Sequence, residues 1–114
     1  MVRYSRENPS PRYHELLEMY RDMHEHGEQF LNIPPEETFA GQSLFRQAKR
    51  IKAIIDILGS KTILDYGAGK GKQYEPRELT VSDAKKYPDI ARYWSVETVT
   101  CYDPAYAPFS TLPV

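Results

Sequence analysis

The chain has 114 residues, 40% of them hydrophobic and 27% charged, with 6 Gly and 9 Pro, which suits one small globular domain and excludes collagen-like, coiled-coil and strongly disordered chains. Its 15 Lys plus Arg stand against 16 Asp plus Glu with the signs interspersed, so the formal net charge of −1 gives no footprint for a nucleic-acid backbone. The single cysteine, Cys101, excludes an internal disulfide and a cysteine-built zinc site, and no run approaches the roughly 20 apolar residues of a membrane span. With no apolar signal segment at its start, the chain is expected in the cytoplasm, away from membranes.

Ser10-Pro11 opens the first periodic segment, because Ser caps free N–H groups and Pro at the first helical position loses no hydrogen bond. Tyr13, Leu16, Leu17, Tyr20 and Met23 follow at helical spacing, and Gly27 is placed to end the helix. Pro34-Pro35 marks residues 32–41 as a loop. A second helix is predicted over 42–58, where Leu44, Phe45, Ala48, Ile51, Ile54, Ile55 and Leu58 form a wide apolar stripe and Gly59 supplies the stop. The run Thr62-Ile63-Leu64-Asp65-Tyr66 then reads as a buried strand closed by a glycine cluster. A second strand is predicted over 96–102, ended by Asp103-Pro104. Between the strands, 73–80 reads as irregular. Ser82 is placed to cap a short helix over 83–94, with a kink at Pro88, and the tail from Pro104 reads as loop.

The chemistry concentrates in Leu64-Asp65-Tyr66-Gly67-Ala68-Gly69-Lys70-Gly71, where a strand delivers a carboxylate and then three glycines spaced G-x-G-x-G. Glycine lacks a Cβ and tolerates positive φ, so backbone at the carboxyl end of a parallel strand can approach a nucleotide-like ligand closely. The spacing is neither a Walker loop nor the G-x-G-x-x-G of dinucleotide sites, since Lys72 stands where the third glycine of the latter would be.

These residues resemble the first motif of the class I S-adenosylmethionine-dependent methyltransferases, an apolar strand followed by [DE]-x-G-x-G-x-G. The resemblance covers residues 39–103. It implies an α/β fold, a partial Rossmann-like parallel sheet with an N-terminal helical extension. Residues 1–38 would form the extension and Pro-rich linker, and 39–114 the cofactor-binding half-domain. It further implies that the loop residues Tyr66, Gly67, Ala68, Gly69 and Gly71 pass under S-adenosyl-L-methionine and that Asp65 orients the cofactor's amino group. Asp103 would accept hydrogen bonds from the ribose hydroxyls, a job suited to a carboxylate's two oxygens. Tyr66 and Tyr106 are the tyrosines expected near the cofactor. Gln42, Ser43 and Arg46, at the start of the second helix, are candidates to hold the methionine carboxylate.

The family's sheet has seven strands, and its substrate-facing motifs follow the fourth, so this sequence is expected to carry the cofactor-binding half alone. It would be a piece of a longer product, or complete its sheet with another copy or another protein. The stretch 73–95, with Tyr74, Tyr87, Tyr93 and Trp94, reads as an insertion, either a lid or a segment facing the methyl acceptor, whose identity the sequence leaves open. The rival expectation is a non-catalytic, truncated methyltransferase-like module that binds nucleosides or assembles with partners, and homo-oligomerisation is expected under both because a short sheet exposes its edges. Three other features are given bland readings. His24-Glu25-His26 lacks the spacing of a zinc motif, Cys101 is a small buried hydrophobe, and Lys70 and Lys72 are solvated lysines.

Overall fold

Local signals in the sequence account for most element ends. The computed structural model describes residues 2–81 and 85–113. The first helix, α1 (Pro11–His26), begins where Ser10 Oγ accepts from the Tyr13 N–H at 3.1 Å and ends at Gly27, whose N–H reaches Met23 O at 2.9 Å. After a 3-10 turn at Pro35–Glu37 comes α2 (Gln42–Leu58), stopped by Gly59 in the left-handed conformation.

Next come β1 (Thr62–Tyr66), a 3-10 turn at Lys72–Tyr74, β2 (Leu79–Val81), β3 (Lys85–Tyr87), α3 (Ile90–Trp94) and β4 (Thr98–Tyr102). β1 and β4 pair in parallel from Thr62↔Thr98 to Tyr66↔Tyr102, and β2 pairs antiparallel with β3. The architecture is therefore mixed α/β: a small two-stranded parallel sheet, a separate antiparallel pair and helices.

The crossover differs from the expected helix over 83–94. Residues 85–87 are strand, paired with 79–81, and the helix occupies only Ile90–Trp94. Pro88 disfavours helical φ/ψ at Tyr87 and so favours an extended chain there, and Asp89, not Ser82, caps the helix by accepting from the Arg92 N–H at 2.8 Å. Ser82 itself lies outside the described residues. The tail also departs from plain loop, with a 3-10 turn at Ala107–Phe109.

Side chains on a strand alternate between the two faces of its sheet. Ile63 packs against α2 and α3, where Ala48, Ile55, Ile90, Tyr93 and Trp94 form the buried core. Trp94 is 1% exposed, and its indole N–H donates to Ala48 O at 3.0 Å, so the one polar atom of the largest core side chain is satisfied on α2. The next residue along β1, Leu64, points the other way and stays 51% exposed. At the far end of α2, Ile54, Ile57 and Leu58 are also exposed, so the apolar stripe is wider than the face the core covers.

Candidate functional site

β1 carries Asp65 to the carboxyl end of the parallel pair, and the chain then turns through Gly67, Gly69 and Gly71, all at positive φ. The turn is fastened to β4, since the N–H groups of Gly67 and Ala68 both donate to Tyr102 O, at 2.7 and 2.9 Å. Asp103 fastens it again: Oδ2 accepts from the Gly69 N–H at 2.8 Å and Oδ1 from the Ala105 N–H at 2.9 Å. Gly69 has a second reason to be glycine, because a Cβ there would lie 3.2 Å from Phe39 Cβ.

Asp65 is held on one oxygen. Its Oδ2 accepts from the Tyr74 hydroxyl at 2.6 Å and from Gln73 Nε2 at 3.2 Å, while the same Gln73 amide donates to Ala68 O at 3.1 Å. Burial, reinforced by the bond to Asp65, holds the Tyr74 phenol far above its ordinary range, so Tyr74 acts as a donor. Gln73 Oε1 is buried beside the loop without a partner. Burial, and secondarily Asp65, likewise raises the Cys101 thiol, which fits the reading of a small hydrophobe over that of a thiolate.

Two cavities meet at this loop, and Phe39, Gly67 and Gly69 line both. One, of about 460 Å³, lies against α2 and takes in Ser43, Gln47, Ile51, Asp65 and Gln73. The other, of about 410 Å³, lies under α1 between Leu17, Tyr20, His24 and Asp103. Both volumes fall within the range of small-molecule sites. Phe39 holds a left-handed φ of 56°, a conformation costly for a bulky side chain and typical of sites where surroundings over-determine the backbone.

His24 is 7% exposed and stacked between Phe39 and Tyr106, with ring centroids at 4.3 and 5.0 Å. Its Nδ1 is buried without a hydrogen-bond partner. Burial pushes the imidazole below its ordinary pKa, Asp103 opposes that shift and Lys70 adds to it. The two lysines are not simply solvated: Lys70 Nζ donates to Pro35 O and Lys72 Nζ to Glu36 O, so both tie the 35–37 turn to the loop.

The structure thus gathers Asp65, Gly67, Ala68, Gly69 and Asp103 around the two cavities. Gly71 backs onto Phe109 and Cys101 instead. Tyr66 points to the opposite face, tilted against Tyr102 at 4.7 Å, and Tyr106 reaches the site only through its stack on His24. Arg46 is exposed and lines neither cavity; Ser43, Gln47 and Ile51 share the inward row at four-residue spacing, which leaves 46 on the flank. His24, Phe39 and Gln73 line the cavities although no motif in the sequence marks them. His24 had a signal, since it continues the stripe of Leu17 and Tyr20 on α1, whereas nothing in Phe39-Ala40-Gly41 marks a cavity wall.

Among the described residues no helix is long and apolar enough to cross a membrane, and no group of three or more His, Cys, Asp or Glu is placed to hold a metal ion. Comparison with protein-family models, curated proteins and solved structures gave no match.

Proposed function

We propose that the chain is the cofactor-binding portion of an S-adenosylmethionine-dependent methyltransferase, built on a partial Rossmann-like sheet. The observation that carries this reading is the pair of carboxylates, Asp65 and Asp103, at the ends of adjacent parallel strands beside a glycine loop that two cavities share. In this reading Asp65 Oδ1 takes the ligand's amino group, because Tyr74 and Gln73 occupy Oδ2. Asp103 takes the ribose hydroxyls on lone pairs that its two backbone N–H bonds leave free. The first turn of α2, which has no side-chain cap, and Ser43 receive the carboxylate, in place of Arg46. Gln73 Oε1 and His24 Nδ1 are buried polar atoms without partners on residues that line the two cavities.

The sulfonium, when bound, supplies an already activated methyl group. The chain contributes position and orientation, and α1 excludes water from the nucleoside side. Isothermal titration of the purified chain with S-adenosylmethionine and S-adenosylhomocysteine tests the reading, with Asp65→Asn expected to weaken binding about tenfold, or ~1.4 kcal/mol. A folded wild-type chain that binds neither ligand overturns it.

One observation favours a second reading, a non-catalytic module that assembles with partners. Among the described residues β1 and β4 each keep one unpaired edge, and Leu64 and Tyr66 lie exposed on the face away from α2. Light scattering that returns a clean monomer at high concentration removes self-association through these edges.

A further inference from the structure

A third hollow, of about 480 Å³, lies at the end of the sheet where Tyr66 and Tyr102 leave the parallel pair and residues 4–13 pass over them. Four tyrosines line it. Tyr102, 5% exposed, is the buried member, while Tyr4, Tyr13 and Tyr66 leave much of their rings in water around one concavity. Tyrosine presents a flat apolar face and a hydroxyl at low rotamer cost, and a cluster of such rings left exposed marks a place of contact.

The wall offers several donors. Among the described residues Arg6 is the one charged side chain lining the hollow, and it forms none of the ion pairs between them. Its guanidinium is near enough to oppose the upward push that burial, Tyr66 and Tyr13 exert on the Tyr102 phenol. Ser5 Oγ already accepts from the Asn8 N–H and Ser10 Oγ from the Tyr13 N–H, each at 3.1 Å, which leaves their hydroxyl hydrogens to donate. Among the described residues no carboxylate lines the hollow.

We propose that this hollow binds a planar aromatic anion, with its ring on the tyrosine faces and its charged oxygens on Arg6. A guanidinium pairs with a carboxylate through two parallel hydrogen bonds, and flat rings select flat ligands. A cationic ligand would meet Arg6 with no carboxylate among the described lining residues to offset it. The hollow adjoins the glycine loop, since Tyr66 directly precedes Gly67 and Tyr13 lines both this hollow and the cavity under α1. The proposal goes beyond the cofactor reading and does not depend on it: a chain that fails to bind S-adenosylmethionine still passes or fails the test below.

The test is NMR titration of the full chain with benzoate, with benzylamine as its cationic counterpart and with cyclohexanecarboxylate as a non-planar anion. Benzoate is expected to shift the Tyr66 and Tyr102 ring signals saturably, with both counterparts binding about tenfold or more weakly. Arg6→Gln, a substitution at an exposed position, is expected to lower benzoate affinity about tenfold, and Arg6→Lys by less because it keeps the charge and loses the fork. No saturable shift, equal binding of benzylamine, or unchanged affinity in Arg6→Gln overturns the proposal. The comparison of the three probes on the wild-type chain decides it even where a variant folds poorly.

Discussion

The contact of α3 with α2 and the contact of α1 with the glycine loop are built on different principles. Where α3 meets α2, Ile90 and Trp94 are each 1% exposed, apolar side chains fill the space, and the single indole N–H finds a carbonyl. Where α1 meets the loop, aromatic rings stack around His24, a ring nitrogen goes without a partner, and a cavity of about 410 Å³ remains. Filled contacts fix a fold, whereas contacts with hollow space and unsatisfied atoms keep stability in reserve for whatever occupies them. The difference teaches that the position of α3 is set by the chain itself, and that the position of α1 depends in part on what lies beneath it.

The largest effect should come from breaking the filled contact. Trp94→Ala empties a core site and removes the indole bond to Ala48 O, so urea unfolding is expected to show a loss of about 3–5 kcal/mol. Leu17→Ala, on the hollow side and only half-buried, is expected to cost about 2 kcal/mol or less. Equal losses in the two variants would erase the contrast between the contacts.

A second contrast lies within the loop. Gly71 has φ +67°, and a Cβ there would come within 2.8 Å of the Phe109 ring, while a Cβ on Gly67 meets nothing within 4 Å. Gly71→Ala is therefore expected to cost more than the roughly 1–2 kcal/mol of a left-handed alanine because of the added clash, whereas Gly67→Ala, at φ +92°, carries backbone strain with no clash. Thermal unfolding of the two variants side by side checks the order.

Tyr74 sharpens the comparison on the ligand side, because it touches both regions. Its ring meets Trp94 edge-on at 6.2 Å while its hydroxyl holds Asp65. Tyr74→Phe keeps the packing and removes a hydrogen bond to a charged group, so affinity for S-adenosylhomocysteine is expected to fall about five- to tenfold. Affinity for 5′-methylthioadenosine, which keeps the nucleoside and lacks the amino acid, should not change. Equal losses for both ligands would reduce Tyr74 to a packing residue.

Much of the frame was legible in the sequence, because the signals there are local. Ser10-Pro11 and Gly27 bound α1, Gly59 ends α2, and a β-branched run before glycines is β1. The crossover was not, since the pairing of 79–81 with 85–87 is a contact between segments, and the cap offered by Ser82 pointed to a helix there instead. At the candidate site, the resemblance pointed to Asp65, the glycine loop and Asp103, and the strand ends bring Asp65, Gly67, Gly69 and Asp103 to the cavities while Gly71 turns to Phe109. The resemblance did not locate the walls. Phe39 arrives through a left-handed turn in a loop, Gln73 through a single 3-10 turn, and Arg46 falls to the flank because one residue along a helix is a rotation of about 100°.

The smallest expected effect is also the most direct probe of the α1 contact. His24 is pushed below the ordinary imidazole value of 6.5 by burial, so the unfolded chain takes up a proton at pH values where the folded chain resists it. The unfolded state then binds more protons, and stability conferred by the docked, neutral imidazole is full above about pH 6.5 and declines as pH falls below it. Asp103 opposes that decline and Lys70 steepens it, and both face His24 from the loop side. His24→Phe keeps a flat ring between Phe39 and Tyr106 and removes the titrating group together with the orphaned Nδ1. Thermal unfolding at pH 7.5 and 5.5 is expected to give the variant the smaller loss on acidification, with its advantage over the wild type greatest at pH 5.5. A wild-type chain whose melting temperature does not fall more than the variant's would show that α1 docks without regard to the charge on His24, and the hollow contact would then rest on its stacked rings alone.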